Sequence, residues 1–205
     1  MSKSAGQESM SLRVARTDAG LHLHLQGRAT QQVWQAVDRV ISAYRRARPH
    51  EPLITIDCEN CQWIDSTLAG WLLETAAAIR ANSGGLRLAN CSRSFRESLR
   101  RLHIEDRFDY CSAASPKPAR SLAFRSSAEI RDELFLQMLR SHQSLMKIHR
   151  DNALLLAPVV ASIHLELARR NVAVESEQRA ERLSQESSQA EPSSVLPAKR
   201  GETAT

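Results

Sequence analysis

The run Leu53-Ile54-Thr55-Ile56, continued through Ile64-Asp65-Ser66-Thr67 and closed by Leu86-Arg87-Leu88-Ala89, decides the fold. Its first four residues are a short β-branched run without polar alternation, as expected of a central strand buried on both faces. A helix begins near Ser66 and carries Leu68, Trp71, Leu72, Ala76 and Ile79 on one side. Asn82-Ser83-Gly84-Gly85 ends it, and residues 86–89 read as a second strand. Residues 53–89 therefore form a strand–helix–strand unit whose strands are expected to be parallel.

Upstream, Met10, Leu12 and Val14 alternate with Ser11, Arg13 and Ala15, and Asp18-Ala19-Gly20 is a turn signal. Leu21, Leu23 and Leu25 then alternate with His22, His24 and Gln26, which predicts a hairpin with one buried face. The two histidines share a strand face with no third ligand nearby, so they read as solvent-facing rather than metal-binding. Thr30 can cap a helix carrying Val33, Trp34, Val37, Val40, Ile41 and Tyr44, with Arg45, Arg46 and Arg48 at its negative end. Pro49 and Pro52 stop it.

Downstream, Ser94 and Glu97 fit a capping box for a third helix with Phe95, Leu99 and Leu102 inward, and Phe108-Asp109-Tyr110 adds a short strand. Residues 1–9 read as frayed, and the α/β domain spans 10–113. Residues 114–127, with Pro116 and Pro118, read as a linker, at whose end Ser126 and Glu129 make another capping box. A helical extension over 128–172 follows. Its inward stripe is expected to be Ile130, Leu134, Phe135, Met138, Leu139, His142, Leu145, Met146 and His149. A second helix, from about 151 to 170, is expected to kink near Pro158. The Glu/Ser/Gln/Ala-rich residues 173–205 lack an apolar period and read as disordered.

The chain has 205 residues, with 28 Lys and Arg against 23 Asp and Glu, a net charge of +5. Its mean hydropathy is −0.39 and its pI about 9.4. Basic residues without zinc-finger spacing or interleaved aromatics read as a solvated surface, not a nucleic-acid site. Four cysteines are too few for a disulfide-built scaffold. No run reaches the roughly 18 uncharged apolar residues of a membrane-spanning helix. The longest stretch, 154–163, is short and contains Pro158, and MSKSAGQES at the start has no apolar segment. A cytoplasmic protein without membrane insertion is expected.

No Gly-rich phosphate loop, nucleophile elbow or HExxH is present, so neither catalytic residues nor a cofactor are expected. Cys58-Glu59-Asn60-Cys61 is a CxxC, but it does not open a helix and its acidic flanks would raise the thiol pKa values. A thiol or metal centre there ranks last among the readings.

In parallel α/β units, ligands and partners meet the carboxyl ends of the strands. Here that edge consists of the loops 57–65 and 90–93, both leading into helix N-termini. At Asp65-Ser66-Thr67, unpaired backbone N–H groups favour an acceptor oxygen or a phosphate. The plain alternative is that Asp65 or Ser66 is an N-cap, contributing about 1 kcal/mol.

Leu53-Ile54-Thr55-Ile56-Asp57, then Trp63-Ile64-Asp65-Ser66-Thr67, with Gly70 and Leu72-Leu73, together resemble the STAS domain. This is the family shared by sulfate-transporter tails and anti-sigma factor antagonists. Gly85 through Ser92, and Leu99 through Ile104-Glu105-Asp106-Arg107-Phe108, fit its later strand and helix. The resemblance runs from about residue 10 to 110. It implies a STAS-like mixed sheet flanked by helices, followed here by an α-helical C-terminal extension. It also implies regulatory binding without catalysis. By position Ser66 is the phosphoacceptor of an anti-sigma factor that is itself a serine kinase, with Asp65, Thr67, Leu68, Ser92 and Arg93 in the docking surface. A phosphate adds about −1.5 to −2 charges, which would oppose flush docking.

The chain departs from the family's pattern in having Leu68-Ala69 where Gly-Leu is common, and His103 where a Gly is common. The Asp-Ser-Thr form looks like a bacterial subgroup. Met138-Leu139-Arg140-Ser141-His142, followed by Asn152, is similar to a helical tail seen after such domains, which here offers a homodimer contact or a cover for the domain. The alternative is a STAS accessory subunit of another assembly, such as a lipid-transport ATPase complex or a stress-signalling scaffold, in which Ser66 is only a cap.

Overall fold

Thr17 and Gly20 face each other across a two-residue turn in the computed structural model, joining β1 (Ser11–Thr17) to β2 (Gly20–Ala29). The structure describes residues 11–50, 52–112, 116, 120–122 and 130–189. Gly20 is required at this corner: its φ is +143°, and a Cβ there would stand 2.5 Å from the Leu53 carbonyl oxygen. β2 pairs in parallel with β3 (Leu53–Ile64), β3 with β4 (Gly85–Ala89), and β4 with β5 (Asp109–Cys111). A short β6 (Arg120–Leu122) adds antiparallel to β1, giving a six-stranded mixed sheet in the order β5-β4-β3-β2-β1-β6. The expected parallel pair at 53–89 is present, with α2 (Ser66–Arg80) as its crossover.

Two spans differ from the sequence reading. Residues 57–64, expected as a loop, continue β3, because the ten-residue β2 keeps pairing alongside them. Asn60, Cys61, Trp63 and Ile64 take Gln26, Gly27, Arg28 and Ala29 as partners, across two register irregularities. The CxxC thus lies inside a strand. Secondly, β6 falls inside the span expected as a linker, where it covers the free edge of β1. Residues 1–9 and the capping box at Ser126 and Glu129 lie outside the described residues.

One sheet face carries Leu12, Leu23, Leu25, Ile54, Ile56, Leu86 and Leu88, all buried in a single core with Val33, Ile41, Leu68, Leu72, Phe95 and Leu99 from the helices. The opposite face is polar. His22 and His24 lie there as expected, but they are half-buried rather than solvent-facing, and His24 Nδ1 stands 3.6 Å from Asp57 Oδ2. Burial, and then the neighbouring His24, lowers the pKa of His22.

Thr30 caps α1 (Gln31–Ala47), and Val33, Trp34, Val37, Ile41 and Tyr44 are buried as their spacing predicts. α3 (Arg93–Arg101) is capped by Ser92, whose Oγ accepts from the Phe95 amide, and not by Ser94. Glu97 pairs with Arg100 instead of reaching back to the helix start, so the expected capping box does not form. Phe95, Leu99 and Leu102 are inward, and a 3-10 turn at Glu105–Arg107 leads into β5.

α4 (Ile130–Met146) and α5 (Arg150–Gln189) complete the described chain. Residues up to His164 form one unit with the sheet, and a second unit begins at Leu165. α5 runs through Pro158 and on to Gln189, into residues whose composition predicts disorder. Glu, Gln, Arg and Ala are good helix formers, and no Gly or Pro follows Pro158 in the helix. Over Arg150–Asn171, α5 is also long and apolar enough to cross a membrane, with a mean hydropathy of 1.3. Searching for an uncharged run misses it because its polar residues are scattered. Leu154 and Leu155 are 67% and 63% exposed, while Asn152, Leu156 and Ile163 are buried.

α4 lies directly on α2. A Cβ at Gly70 would stand 2.5 Å from the Ser141 carbonyl oxygen and 2.8 Å from the Ser141 Cα, so the two backbones touch at this point. Overpacking of this kind costs about 1–3 kcal/mol. Gly70→Ala should therefore lower the thermal midpoint by several degrees and expose α4 to proteolysis. An unchanged midpoint with unchanged cleavage of α4 would mean that α4 does not sit on α2.

Candidate functional site

The first turn of α2 is organised by one carboxylate. Asp65 is extended (φ −81°, ψ 165°), and its Oδ1 accepts the Leu68 amide at 2.8 Å, the pattern of an N-cap. Its Oδ2 accepts the Gln31 amide at 2.6 Å, so the same side chain also closes the start of α1. Its own backbone N–H donates to the Ala29 carbonyl at 3.0 Å. Burial pushes the Asp65 carboxyl pKa up, against the opposing pull of the Leu68 and Gln31 amides and of His142.

With Asp65 as the cap, Ser66 is the first helical residue and its hydroxyl is free for another partner. That partner is on α4: Ser66 Oγ lies 2.8 Å from His142 Nε2. His142 Nδ1 lies 2.7 Å from the Met138 carbonyl oxygen, which can only accept, so Nδ1 carries the proton in the neutral ring. Nε2 is then the bare nitrogen, and Ser66 donates to it. His142 is 2% exposed, and burial lowers its pKa against the raising effects of the Met138 carbonyl and Asp65.

The contact continues along α2. Ser66, Gly70 and Glu74 are spaced four apart on one helix face. Ser144 Oγ donates to Glu74 Oε1 at 2.6 Å, and Gln137 Nε2 reaches Glu74 Oε2 at 3.4 Å and Ser141 Oγ at 3.0 Å. The buried stripe of α4 is therefore Gln137, Ser141, His142 and Leu145. Of the expected stripe, His142 and Leu145 are buried and Leu134 and Met146 pack half-buried against the core, whereas Phe135, Met138 and Leu139 are only half-buried and His149 is exposed. Small or polar side chains occupy the seam because Gly70 draws the backbones together and Ser66 and Glu74 supply hydrogen-bonding partners.

The other predicted docking residues divide. Thr67 and Leu68 are 2% and 1% exposed, so they build the core and do not present a surface. Ser92 is half-buried, caps α3 and donates to the Cys61 carbonyl at 3.0 Å, while Arg93 is exposed. Neither hydrogen-bonds to the Ser66 group among the described residues. Sequence reasoning missed Glu74, Gln137 and Ser144, and it named Ser141 and His142 only as part of the helical tail and its packing stripe, not as partners of α2. The spacing of 66, 70 and 74 was the available signal.

The thiols match the sequence reading in direction but not in cause. Burial, more than the acidic flanks, raises the Cys58 pKa well above the usual thiol range, and it pushes Cys61 up to about 11. Cys91 is lowered by its hydrogen bond with Cys58. Both CxxC thiols are thus held protonated near neutral pH.

Comparison with known proteins fits this architecture. Residues 12–108 match the family model described as "Mlab, STAS domain". Residues 12–108 are therefore a STAS domain, onto which α4 of the C-terminal helical extension packs. STAS domains are in general non-enzymatic protein-interaction modules. No curated protein matches the chain.

The lowered pKa of His142 gives the seam a pH dependence. Unfolded chains protonate histidine near pH 6.5, whereas folded His142 takes up its proton only at lower pH. Between these values the unfolded state binds more protons, so stability falls as pH drops through this window and is full above it. His22 shifts in the same direction, so the comparison needs a variant. Urea unfolding from pH 7.5 to 5 should show a steeper loss in wild type than in His142→Gln. Equal slopes would rule out a buried neutral His142 on Ser66.

Proposed function

We propose that this chain is a phosphorylation-switched interaction module of the anti-sigma factor antagonist type, acting in the cytoplasm. Ser66 is the phosphoacceptor, and a serine kinase that also serves as the anti-sigma factor is the partner. The supporting observation is that Asp65, not Ser66, caps α2. The Ser66 hydroxyl is consequently directed out of its own helix and onto a second element. A residue that served only as a cap would have its oxygen turned back onto the amides of its own first turn.

In this reading α4 holds the Ser66 face in cis until the partner displaces it. The seam suits such an exchange, since its hydrogen bonds can be replaced by a partner's. Phosphate on Ser66 would meet His142 Nε2 at 2.8 Å from Oγ, with the Gly70–Ser141 contact leaving α4 no slack. Phosphorylation and α4 docking are therefore mutually exclusive.

A second reading, an accessory subunit of a larger assembly such as a lipid-transport ATPase complex, is favoured by the description of the matched family and by the exposed Leu154 and Leu155. Phosphosite mapping on protein from its native host, across growth and stress conditions, separates the two. Phosphate on Ser66, absent in Ser66→Ala, is expected, and Ser66→Asp should release α4 to limited proteolysis. A Ser66 that stays unmodified under every condition transfers the conclusion to the accessory-subunit reading.

A further inference from the structure

Two thiols meet beside the carboxyl end of β4. That strand runs parallel to β3 with Ala89 opposite Asp57, so Cys58 directly follows one partner and Cys91 lies two residues beyond the other. Asn90, just before Cys91, is left-handed (φ +52°), and its amide donates to the Cys111 carbonyl at 3.1 Å. On the other side, Ser92 Oγ donates to the Cys61 carbonyl at 3.0 Å, which pins the chain after Cys91 against β3. Between these anchors the Cys91 and Cys58 side chains are hydrogen-bonded to each other. Cys58 is 0% exposed, whereas Cys91 is half-buried and lines a surface cavity of about 270 Å3 with Arg96, Tyr110 and Cys111.

We infer that Cys91 is a peroxide-reactive thiol and Cys58 its resolving partner, the two forming a reversible disulfide that ties β3 to the start of α3. The first argument is position. Neighbouring strands stand about 4.7–4.9 Å apart, inside the range of about 4.4–6.8 Å between Cα atoms that a disulfide spans. The CxxC offers no such pair. Cys58 and Cys61 are three residues apart along one extended strand, or about 10 Å, which is beyond that reach.

The second argument is the division of roles. Oxidation by peroxide needs a thiolate that a small molecule can reach. Cys91 opens onto the cavity, and the Cys58 S–H donates to its sulfur. Arg96 stands on the cavity wall, stacked 4.4 Å from the centre of the Tyr110 ring and bonded to Glu105 at 2.9 Å, so its cationic head is held in place. The Cys58 hydrogen bond lowers the Cys91 pKa and Arg96 adds to it, while burial and the Asp57 carboxylate oppose them. Cys58 is pushed the other way, above all by burial, and keeps its proton.

The third argument is that the chemistry closes with hydrogen peroxide as the only oxidant. The Cys91 thiolate attacks one peroxide oxygen, the O–O bond breaks and hydroxide leaves, giving a sulfenic acid on Cys91. The Cys58 sulfur then displaces the sulfenic oxygen: the S–O bond breaks, the S–S bond forms, and the Cys58 proton leaves with that oxygen as water. The two thiols lose two electrons and the peroxide gains them. A small dithiol reverses the step by exchange.

The test uses the full chain, reduced and then treated with one equivalent of hydrogen peroxide, with cross-links mapped by peptide mass spectrometry without reduction. A Cys58–Cys91 bond within one chain is expected ahead of any other pair. With dimedone present, Cys58→Ala should carry the trapped sulfenic acid on Cys91. Iodoacetamide labelling at pH 7, read thiol by thiol, should be fastest at Cys91 and slow about threefold or more in both Cys58→Ala and Arg96→Gln. Arg96 is exposed, so its variant keeps the test decisive if Cys58→Ala fails to fold by circular dichroism. Faster labelling of Cys111, a Cys91–Cys111 or Cys58–Cys61 bond formed first, a cross-link between two chains, or Cys91 labelling unchanged in Arg96→Gln would each overturn the proposal.

Discussion

The Asp65 carboxylate sets the geometry on which the rest depends. Its two oxygens close the first turns of α1 and α2 at once, in bonds of 2.6 and 2.8 Å. Both helices present unpaired amides and a positive dipole end at this point, so an acceptor-only side chain satisfies both without conflict. Asn would turn an N–H donor toward one of the two amides and leave that helix start unsatisfied. Burial opposes the charge, yet the two amides select it, and a buried acceptor lost from under them costs about 1–3 kcal/mol for each group left unpaired. Because Asp65 takes the capping role, the next side chain is free of it.

That freedom separates the two faces of α2. Towards the sheet it buries Leu68, Leu72, Ala76 and Ile79, an apolar surface that no partner can replace. Towards α4 it offers a hydroxyl, a glycine and a carboxylate, met by Gln137, Ser141, His142 and Ser144. A typical hydrogen bond within a protein contributes only about 0.5–1.5 kcal/mol net, since water competes for the same groups. The α2–α4 seam is therefore specific in geometry and modest in strength. It is suited to exchange in a way that the sheet-facing side is not. Trp71 adds a further tie on the domain side, donating its indole N–H to Asp38 of α1 at 3.2 Å.

What the sequence revealed follows the range of the interactions. The hairpin, α1, α2, β4 and the buried set Phe95, Leu99 and Leu102 rest on local periodicity and turn residues, and all were readable. The length of β3 was not, because residues 57–64 alternate poorly and become a strand only through pairing with β2. Ser92 rather than Ser94 caps α3 because its hydroxyl also reaches Cys61 across the sheet end, a contact that a local pattern does not contain. Ser66 was singled out correctly as a position at a helix start, but its partner is 76 residues away. The inward stripe of α4 was read correctly at His142 and Leu145 and misplaced elsewhere for the same reason. Apolar periodicity favours Met138 and Leu139, whereas the facing Gly70 and Glu74 select Ser141 and Gln137.

Charge and volume act in opposite directions on a phosphorylated Ser66, and their magnitudes decide what α4 would do. A phosphate of about −1.5 to −2 charges beside Nε2 would favour protonation of His142. A charge-assisted bond of that kind contributes about 1.5–3 kcal/mol, and the helix N-terminus adds an attraction of similar sign. Against this stands the neighbouring Asp65 carboxylate, of like charge and half-buried, together with the space required. The Oγ to Nε2 gap of 2.8 Å holds a single hydrogen bond and cannot admit a phosphorus with three oxygens. Widening it means lifting α4 from Gly70, where the backbones already touch, and breaking the Glu74 bonds one turn further on. The whole seam must open before His142 can meet a phosphate, so volume takes precedence over charge. A protonated His142 is then left on a released helix, where water solvates it and the burial that lowered its pKa no longer applies.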